Sequence, residues 1–316
     1  MMRISLKEAA HRLNTGEVVG VPTETVYGLA ASLNHLQAIE HIYTLKGRPS
    51  NNPLIIHVAE LNEVLSYQQG NISDLEILAQ VFWPGPMTIV LPVKCRLIPA
   101  KARANLPTAA FRIPRHPLAL ELLKQTGPLV MPSANLSGSP SSTRIEHVEH
   151  DFGKAFPVLD GGTCQKGLES TILTYRNGYW QIIRQGALTA EDFCSSLGYL
   201  PMFQQQNSEK PLCPGGMYRH YAPQAKLKLV QSFKNIVEGV IIGFSDRHYP
   251  AGCKVFALGP LAEPELAASN LYAVLRQLDQ EKYQEAYVDV NFLKRGILAT
   301  LSERLHRASE KPSEKY

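Results

Sequence analysis

The chain has 316 residues, of which 44% are hydrophobic and 19% are charged, and its formal net charge is +4. This composition excludes an intrinsically disordered chain, and no apolar run approaches the roughly 18 residues of a membrane span. The small positive charge allows an anionic partner without requiring nucleic acid. Five scattered cysteines without a C-x-x-C pair argue against a disulfide framework or a zinc site and indicate a reducing compartment, for which we expect the cytoplasm.

Helix signals recur through the first 200 residues. Ser5 and Glu8 have the spacing of a capping box at the start of an amphipathic helix, and Ser73 and Glu76 repeat that spacing before "LEILAQVF". Gly47 predicts the end of the helix in "LQAIEHIYTLKG". A further helix is predicted in "PLALELLKQTG".

Strand signals alternate with these helices. They are found in "VVGVPT", "PLIIHV", "MTIVLPV", "AFRIP" and "PLVMPSAN". The run "STILTYRNGYWQIIR" predicts a β-hairpin that turns at Asn177-Gly178. Because some strands are linked by helices and others are paired as a hairpin, we predict an α/β fold with a mixed, partly antiparallel sheet.

A polar stretch, "PMFQQQNSEKPLCPGG", interrupts this pattern and predicts a linker. Beyond it, "KLKLV", "VIIGF", "KVFALG", "PELAASNLYAVLRQLDQ", "AYVDV" and "ILATLSERLHRAS" predict a small α/β domain of Rossmann-like outline. The length also favours two domains over one. We therefore predict a catalytic domain over 1–200, a linker or lid over 201–223 and a second domain over 224–316.

Neither glycine-rich signature for phosphate binding, G-x-x-x-x-G-K-[ST] or G-x-G-x-x-G, is present in the sequence. If the protein binds a nucleotide, side chains must then make much of the contact with the phosphates. Lys46 and Arg48 follow a predicted helix, where cations also stabilise the helix dipole. Arg48 close to Asn52 combines a guanidinium fork with an amide, a pairing suited to phosphate.

Two ionisable side chains lie inside apolar strands. His57 in "PLIIHV" is by itself more often structural than catalytic. Arg112 in "AFRIP" has a guanidinium that would cost several kcal/mol if it were buried without a partner. Arg112 is therefore expected to face an anion or a cleft.

Hydroxyls, amides and cations dominate the remaining candidates. "MPSANLSGSPSST" contains Ser133, Asn135 and Thr143, "GLEST" contains Ser170, and "IIRQG" contains Arg184. No Ser-His-Asp or Cys-His pattern is recognisable, nor is a metal-binding cluster. Such a set binds and orients anions without providing a nucleophile, which fits phosphoryl or nucleotidyl transfer.

Several of these segments together resemble one known family. "VPTETVYGLAAS", "LKGRPSNNPLIIHV", "WPGPMTIVL", "FRIPRH", "PSANLSGSPSST", "GGTCQKGLESTIL" and "IIRQGAL", in this order, are similar to the YrdC-like L-threonylcarbamoyladenylate synthases. "CPGGMYRHYAP" resembles the linker of the longer, two-domain members. The resemblance implies a twisted mixed sheet with helices, followed by a smaller Rossmann-like α/β domain after a long linker.

The resemblance also implies a reaction and its partners. Members condense L-threonine, bicarbonate (or CO2) and ATP into threonylcarbamoyl-AMP and release pyrophosphate. A separate threonylcarbamoyl transferase complex then modifies tRNA adenosine beside the anticodon, and direct contact of this chain with tRNA is left open. Mg2+ is expected to arrive with ATP, and we predict no metal ligands from protein side chains.

By matching positions, the resemblance implies two sets of binding residues. Those for threonine are Thr25, His57, Arg112, Ser133 and Ser170. Those for ATP are Lys46, Arg48, Asn52, Thr108, Asn135, Thr143, Arg184 and Tyr221. Of the second set, Lys46, Arg48 and Asn52 are expected at the phosphates, and Tyr221 is expected to fold over the nucleotide from the linker.

Two alternatives are kept at this stage. The segment from Lys94 to Arg115 carries six cations and no acidic residue, which suits a non-catalytic RNA-binding module. The second alternative is a carbamoyl-transfer relative on the same fold that uses carbamoyl phosphate. The zinc-finger and acylphosphatase modules of such relatives are not recognisable in the sequence.

Overall fold

The structure is a computed structural model that describes residues 2–204 and 221–310. Within those ranges the strands form two sheets, a mixed sheet of ten strands and a parallel sheet of four. This confirms the predicted mixed α/β architecture with a second, smaller α/β unit. None of the helices in these ranges is long and apolar enough to cross a membrane.

The ten-stranded sheet mixes parallel and antiparallel neighbours. Its spatial order is β1-β8-β2-β3-β7-β4-β6-β5-β9-β10. The strands are β1 (Arg3–Ile4), β2 (Val19–Val21), β3 (Gly28–Ser32), β4 (Ile55–His57), β5 (Met87–Pro92), β6 (Thr108–Arg112), β7 (Leu129–Val130), β8 (Val158–Leu159), β9 (Thr171–Arg176) and β10 (Tyr179–Arg184). The pairs β4–β6 and β5–β9 are parallel, whereas β2–β3 and the predicted hairpin β9–β10 are antiparallel.

Seven α-helices connect or flank these strands within residues 2–204. They are α1 (Leu6–Asn14), α2 (Leu36–Lys46), α3 (Leu61–Tyr67), α4 (Leu75–Phe82), α5 (Pro117–Thr126), α6 (Ile145–Phe152) and α7 (Ala190–Leu197). Gly47 ends α2 in the left-handed conformation, and the Ser5 hydroxyl accepts the Glu8 backbone N–H at the start of α1, as predicted.

The predicted capping box at Ser73 and Glu76 is wrong. Asp74 is the N-cap of α4, with φ +61° and no side-chain capping bond. The Ser73 carbonyl instead accepts a hydrogen bond of 3.0 Å from the Trp180 indole. The start of α4 thus has a partner more than a hundred residues distant in sequence.

Both faces of the large sheet are covered. Successive strand residues point to opposite faces, and accordingly Leu29 and Ala31 of β3 join one buried cluster while Ala30 joins another. The first cluster includes Ile39 of α2, and the second includes Leu13 of α1. Since both faces are packed with apolar side chains, polar side chains gather at the ends of the strands.

The second region is a parallel unit. Its elements are β11 (Lys226–Val230), β12 (Glu238–Gly243), β13 (Gly252–Ala257), α8 (Pro264–Gln280), β14 (Glu285–Asp289) and α9 (Ile297–Ser309). The strand order is β11-β14-β12-β13. Its apolar core also contains Val26 and Leu168 of the first region, so the two regions share packed side chains.

The predicted domain limits at 200/201 and 223/224 stay a prediction. The last element of the first region, α7, ends at Leu197, and the first strand of the second begins at Lys226. Most of the predicted linker, residues 205–220, lies outside the described residues.

Candidate active-site cleft

All five residues predicted to bind threonine line one cavity. Thr25 lies in the loop between β2 and β3, and Ser133 faces Gly28 at an isolated bridge. His57 and Arg112 end the parallel strands β4 and β6 and are paired in register. Ser170 directly precedes β9 and completes the group.

Arg112 makes the ion pair that its burial requires. It is 4% exposed, and it donates to a Glu24 carboxylate oxygen at 2.7 Å and to the Thr25 hydroxyl at 2.8 Å. Burial raises the pKa of Glu24, but the charge and hydrogen bond of Arg112 outweigh it, so the pKa lies below its ordinary value. The sequence analysis missed Glu24, although the expectation that Arg112 faces an anion pointed to such a partner.

His57 is uncharged in the folded protein. It is 2% exposed, and its Nδ1 lies 3.3 Å from the Ile55 carbonyl oxygen. Burial and then the nearby charge of Arg112 hold the pKa of His57 well below its ordinary value. The ring therefore offers the cavity a neutral hydrogen-bonding group and no positive charge.

Ser170 is fixed by two neighbours. Its hydroxyl lies 2.7 Å from the hydroxyl of Thr88 on β5, a residue that the sequence analysis missed. Arg184 donates to the same hydroxyl at 3.0 Å and to the Ser170 carbonyl at 2.9 Å. Ser170 is thus held between strands β5 and β10 beside the cavity.

A second cavity adjoins the first. Five residues predicted for ATP line it, namely Lys46, Arg48, Asn135, Arg184 and Tyr221. The rest of its lining is mostly the 137–141 loop. The two cavities share four lining residues, Arg48, Ser133, Glu169 and Arg184. Together they form one cleft with two compartments.

The structure does not place Asn52, Thr108 or Thr143 in the lining of either cavity. Thr108 begins β6, whose other end is Arg112, so about 13 Å of extended strand separates the two. Thr143 is buried, and its N–H donates to His147 Nδ1 at 3.2 Å. The Asn52 carbonyl accepts from Arg48 Nε at 3.3 Å.

Lys46 and Arg48 play different roles in this arrangement. Lys46 is buried, and its Nζ donates to the carbonyls of Ser133 and Asn135, both at 2.5 Å. Burial and then the charge of Arg48 hold the pKa of Lys46 well below its ordinary value. Lys46 thus fixes the backbone beside the second cavity, whereas Arg48 borders both cavities.

Three of the predicted ATP residues carry a buried oxygen that has no hydrogen-bond partner among residues 2–204 and 221–310: Asn52 Oδ1, Thr108 Oγ1 and Asn135 Oδ1. Asn135 donates through Nδ2 to the Leu136 and Ser139 carbonyls at 2.7 and 3.0 Å, which identifies Oδ1 as its free atom. A buried acceptor without a donor costs about 1–3 kcal/mol. A ligand N–H or O–H beside Asn135 would remove that cost.

Tyr221 and Glu169 form the wall of the second cavity. Tyr221 is buried, with its ring stacked on Tyr272 at 5.4 Å and under Arg304 at 4.6 Å. Glu169 accepts from the Ser141 hydroxyl at 2.6 Å and from the Tyr272 hydroxyl at 2.8 Å. Burial raises the pKa of Glu169, but Arg304 and Arg184 outweigh it and the pKa lies below its ordinary value. The sequence analysis missed Glu169, which directly precedes Ser170.

Among residues 2–204 and 221–310, the side chains around the cleft do not assemble a metal site. Within the part of the chain that the structure describes, no three His, Cys, Asp or Glu side chains come together closely enough to hold a metal ion. Glu169, the carboxylate that borders both cavities, is engaged by Ser141 and Tyr272. Its oxygens are therefore already used by protein donors.

Comparison with known proteins gives two family matches. Residues 11–186 match the Sua5/YciO/YrdC family model, described as telomere recombination. Residues 186–310 match the model described as threonylcarbamoyl-AMP synthase, C-terminal domain.

Individual proteins agree with these matches. A threonylcarbamoyl-AMP synthase of Bacillus subtilis is 35% identical over 96% of this chain and 92% of its own. A threonylcarbamoyl-AMP synthase of Vibrio vulnificus is also 35% identical, but over 58% of this chain and 98% of its own. The crystal structure of P. abyssi Sua5 complexed with L-threonine superposes with a TM-score of 0.88, at 32% identity and over 97% of this chain and 95% of that one.

Proposed function

The chain belongs to the Sua5/YciO/YrdC family in its two-domain, threonylcarbamoyl-AMP synthase form, and from this we propose that the two compartments of its cleft hold the two substrates that the synthase joins. The enzyme condenses L-threonine, bicarbonate or CO2, and ATP into threonylcarbamoyl-AMP and releases pyrophosphate. Its product serves the threonylcarbamoyl modification of tRNA. The comparisons support this activity and neither the RNA-binding module nor the carbamoyl-phosphate relative.

The first compartment is the threonine site in this proposal. Neutral His57 and the hydroxyls of Thr25, Ser133 and Ser170 suit the amino and hydroxyl groups of the substrate. Arg112, held by Glu24, supplies positive charge for the carboxylate. The L-threonine bound to the P. abyssi Sua5 structure supports an amino acid of this kind.

The second compartment is the nucleotide site. Arg48 and Arg184 border both cavities, which suits the phosphate at which the substrates react. Asn135 Oδ1 is an acceptor, so it matches a ribose hydroxyl or the adenine amino group and not a phosphate oxygen. Lys46 acts on the phosphates through the backbone it holds.

The other predicted ATP contacts remain part of the proposal. Asn52, Thr108 and Thr143 lie outside the linings, and their contacts with the nucleotide stay a prediction. Tyr221 supplies an aromatic wall. Its predicted role as a lid depends on the linker, and residues 205–220 lie outside the described residues.

The chemistry needs positioning and charge stabilisation more than a protein nucleophile. The threonine amine, which is protonated at neutral pH, releases two protons to solvent as its nitrogen bonds to the CO2 carbon, giving a carbamate. A carbamate oxygen then attacks the α-phosphorus, and the bond from that phosphorus to the bridging oxygen breaks. Pyrophosphate leaves with the electron pair. Arg48 and Arg184, at the shared wall, stabilise the charge on the transferring phosphoryl group.

Mg2+ accompanies ATP in this proposal. Bound to the triphosphate, the ion neutralises phosphate charge. Since the described residues offer no cluster of metal-ligating side chains, its protein ligands would be few and the phosphate oxygens would hold it.

The wider setting is also proposed. The product is consumed by a separate threonylcarbamoyl transferase complex. The basic segment supports direct tRNA contact only weakly, because Lys94 and Arg103 are bonded to backbone carbonyls and Arg112 is buried. Free thiols at Cys95, Cys164, Cys194 and Cys253 support a reducing compartment such as the cytoplasm.

One observation carries the proposal. His57 and Arg112 are paired across strands β4 and β6 in the first cavity, and this cavity shares Arg48 and Arg184 with the second cavity. The test is pyrophosphate release from ATP and bicarbonate, with and without L-threonine. We expect threonine-dependent release that falls about tenfold or more in Arg48→Ala. Arg247→Ala is the matched control, because Arg247 contacts Asp289 at the end of β14 and the Asn291 carbonyl just after it, and lines neither cavity. ATP that stayed intact with every amino acid supplied would refute the proposal.

A further inference from the structure

The second region reaches the nucleotide compartment through three buried side chains. Tyr272 and Arg276 belong to α8 and Arg304 to α9, and all three are buried. They contact the 136–142 loop, Glu169 and Tyr221, each of which borders or supports that compartment. The sequence analysis assigned no role to any of the three.

Arg276 is the most extensively bonded of them. Its guanidinium forms a two-pronged ion pair with Asp151, at 2.9 and 2.7 Å. The same group donates to the Pro140 carbonyl at 2.6 Å and to the Ser142 hydroxyl at 3.2 Å. A planar guanidinium can satisfy these partners together, whereas an ammonium cannot match the fork.

Asp151 extends this hold to the other end of the loop. Its carboxylate accepts the Leu136 backbone N–H at 3.2 Å. Arg276 and Asp151 thereby fix Leu136 at one end and Pro140 to Ser142 at the other. Burial raises the pKa of Asp151, but its hydrogen bonds to Arg276 outweigh that, and the pKa lies below its ordinary value. The ion pair therefore persists at neutral pH.

A second connection runs through Glu169. Ser141 of the loop donates to one oxygen of Glu169 and Tyr272 donates to the other. Arg304 lies 3.4 Å from the same carboxylate and also covers the Tyr221 ring. The loop, the carboxylate and the aromatic wall of the compartment are thus all held from the second region.

The reaction itself does not require these contacts in every relative. The Vibrio vulnificus synthase matches 58% of this chain over 98% of its own length, so it is too short to contain both regions. Groups from the second region are therefore not part of the reacting set. In this chain, the role left for the side chains of the second region is to position the 136–142 loop.

We propose that Arg276 is a positioning residue that holds the 136–142 loop in the conformation that binds the nucleotide, and that the second domain thereby sets the affinity for ATP. This rests on the proposed nucleotide compartment. The threonine compartment has no contact with Arg276, since the described partners of Arg276 are all in the 140–151 segment. The effect is consequently expected to be larger on ATP than on threonine.

The test uses the full-length protein and Arg276→Lys, which keeps a positive charge beside Asp151 but loses the fork. We expect the KM for ATP to rise about tenfold, as for the loss of charge-assisted hydrogen bonds, with the KM for threonine unchanged within about twofold. Arg247→Lys is the matched control and should leave both constants unchanged. Titration calorimetry with ATP alone should show the same loss of affinity.

Tyr272→Phe provides a second variant if the arginine variant folds poorly. It removes only the hydroxyl that donates a hydrogen bond to Glu169, and we expect about a threefold rise in the KM for ATP. Unchanged KM values in both variants, an equal rise for both substrates, or a loss of folded protein with unchanged constants would each overturn the inference. A wild type without threonine-dependent pyrophosphate release would refute the proposed function instead, and the ATP titration would still decide the role of Arg276.

Discussion

The two compartments of the cleft differ in what holds them. The compartment proposed for threonine is lined by the ends of β4 and β6 and by loop residues, and its main charged pair, Arg112 with Glu24, lies within the first region. The compartment proposed for the nucleotide is built on the 136–142 loop. Its Pro140 carbonyl accepts from Arg276 of the second region, and Glu169, which accepts from Ser141 of the loop, also accepts from Tyr272. Hence we expect substitutions of residues that line only the first compartment to act mainly on threonine, and substitutions around the second to act mainly on ATP.

The largest effect is expected at the buried ion pair of the threonine compartment. Arg112→Met leaves the Glu24 carboxylate buried without its cation, which costs roughly 3–5 kcal/mol of unfolding free energy. Urea denaturation measures this loss. The double variant Arg112→Met/Glu24→Gln should recover part of the stability and none of the activity. A single variant as stable as the wild type would show that the pair does not organise this compartment.

The second effect concerns the pH dependence of the unfolding free energy and depends on His147, a residue bonded to Thr143. Burial, then Arg276 and Arg144, lower the pKa of His147 to about 3, with Asp151 and His150 also nearby. In the unfolded chain the pKa of a histidine is about 6.5. Between pH 6.5 and pH 3 only the unfolded state therefore binds this proton, and the free energy of unfolding falls as the pH is lowered through that range.

His147→Asn removes that titration while keeping an acceptor for the Thr143 N–H. Its stability should fall less than that of the wild type between pH 7 and pH 5, by about 2 kcal/mol, because each proton is worth about 1.4 kcal/mol per pH unit. Thermal or urea unfolding at both pH values checks this. Equal slopes for the two proteins would contradict a neutral, buried His147.

A smaller effect is expected at Asn135. Asn135→Ala removes the free acceptor and the two bonds that shape the loop. We expect the KM for ATP to rise about tenfold, or about 1.4 kcal/mol, while the KM for threonine stays unchanged. A change in the threonine constant of the same size would erase the distinction between the compartments.

The smallest effect is expected on the KM for threonine, when Thr88 is replaced. Thr88→Val keeps the shape of the side chain and removes the hydroxyl 2.7 Å from that of Ser170. The KM for threonine should rise about threefold to fivefold, about 1 kcal/mol, with the KM for ATP unchanged. Steady-state kinetics with each substrate varied in turn measures both constants in one series.

Features encoded by neighbouring residues were predictable from the sequence. Gly47 ends α2, Asn177-Gly178 turns the β9–β10 hairpin, and the helical pattern gave α8 and α9 their full lengths. Local capping chemistry and periodicity are sufficient for such elements. At α4 they were not: Asp74 is the N-cap, and the Ser73 carbonyl accepts from the indole of Trp180.

Partners far apart in the chain were not predictable. Glu24 is separated from Arg112 by 88 positions, and Pro140 from Arg276 by 136. Sequence spacing indicated that Arg112 needs an anion but not which carboxylate provides it. Arg276 gave no such signal, because an arginine within an amphipathic helix is usually a solvated residue. The contribution of the second domain to the cleft therefore required the structure.

The central claim is that this cleft joins threonine, CO2 and AMP. Mass spectrometry of a reaction with 13C-bicarbonate, ATP and L-threonine tests it most directly. The account predicts threonylcarbamoyl-AMP that carries one 13C and forms in equal amount with pyrophosphate. Pyrophosphate released without a labelled adduct, or an adduct that forms without threonine, would contradict it.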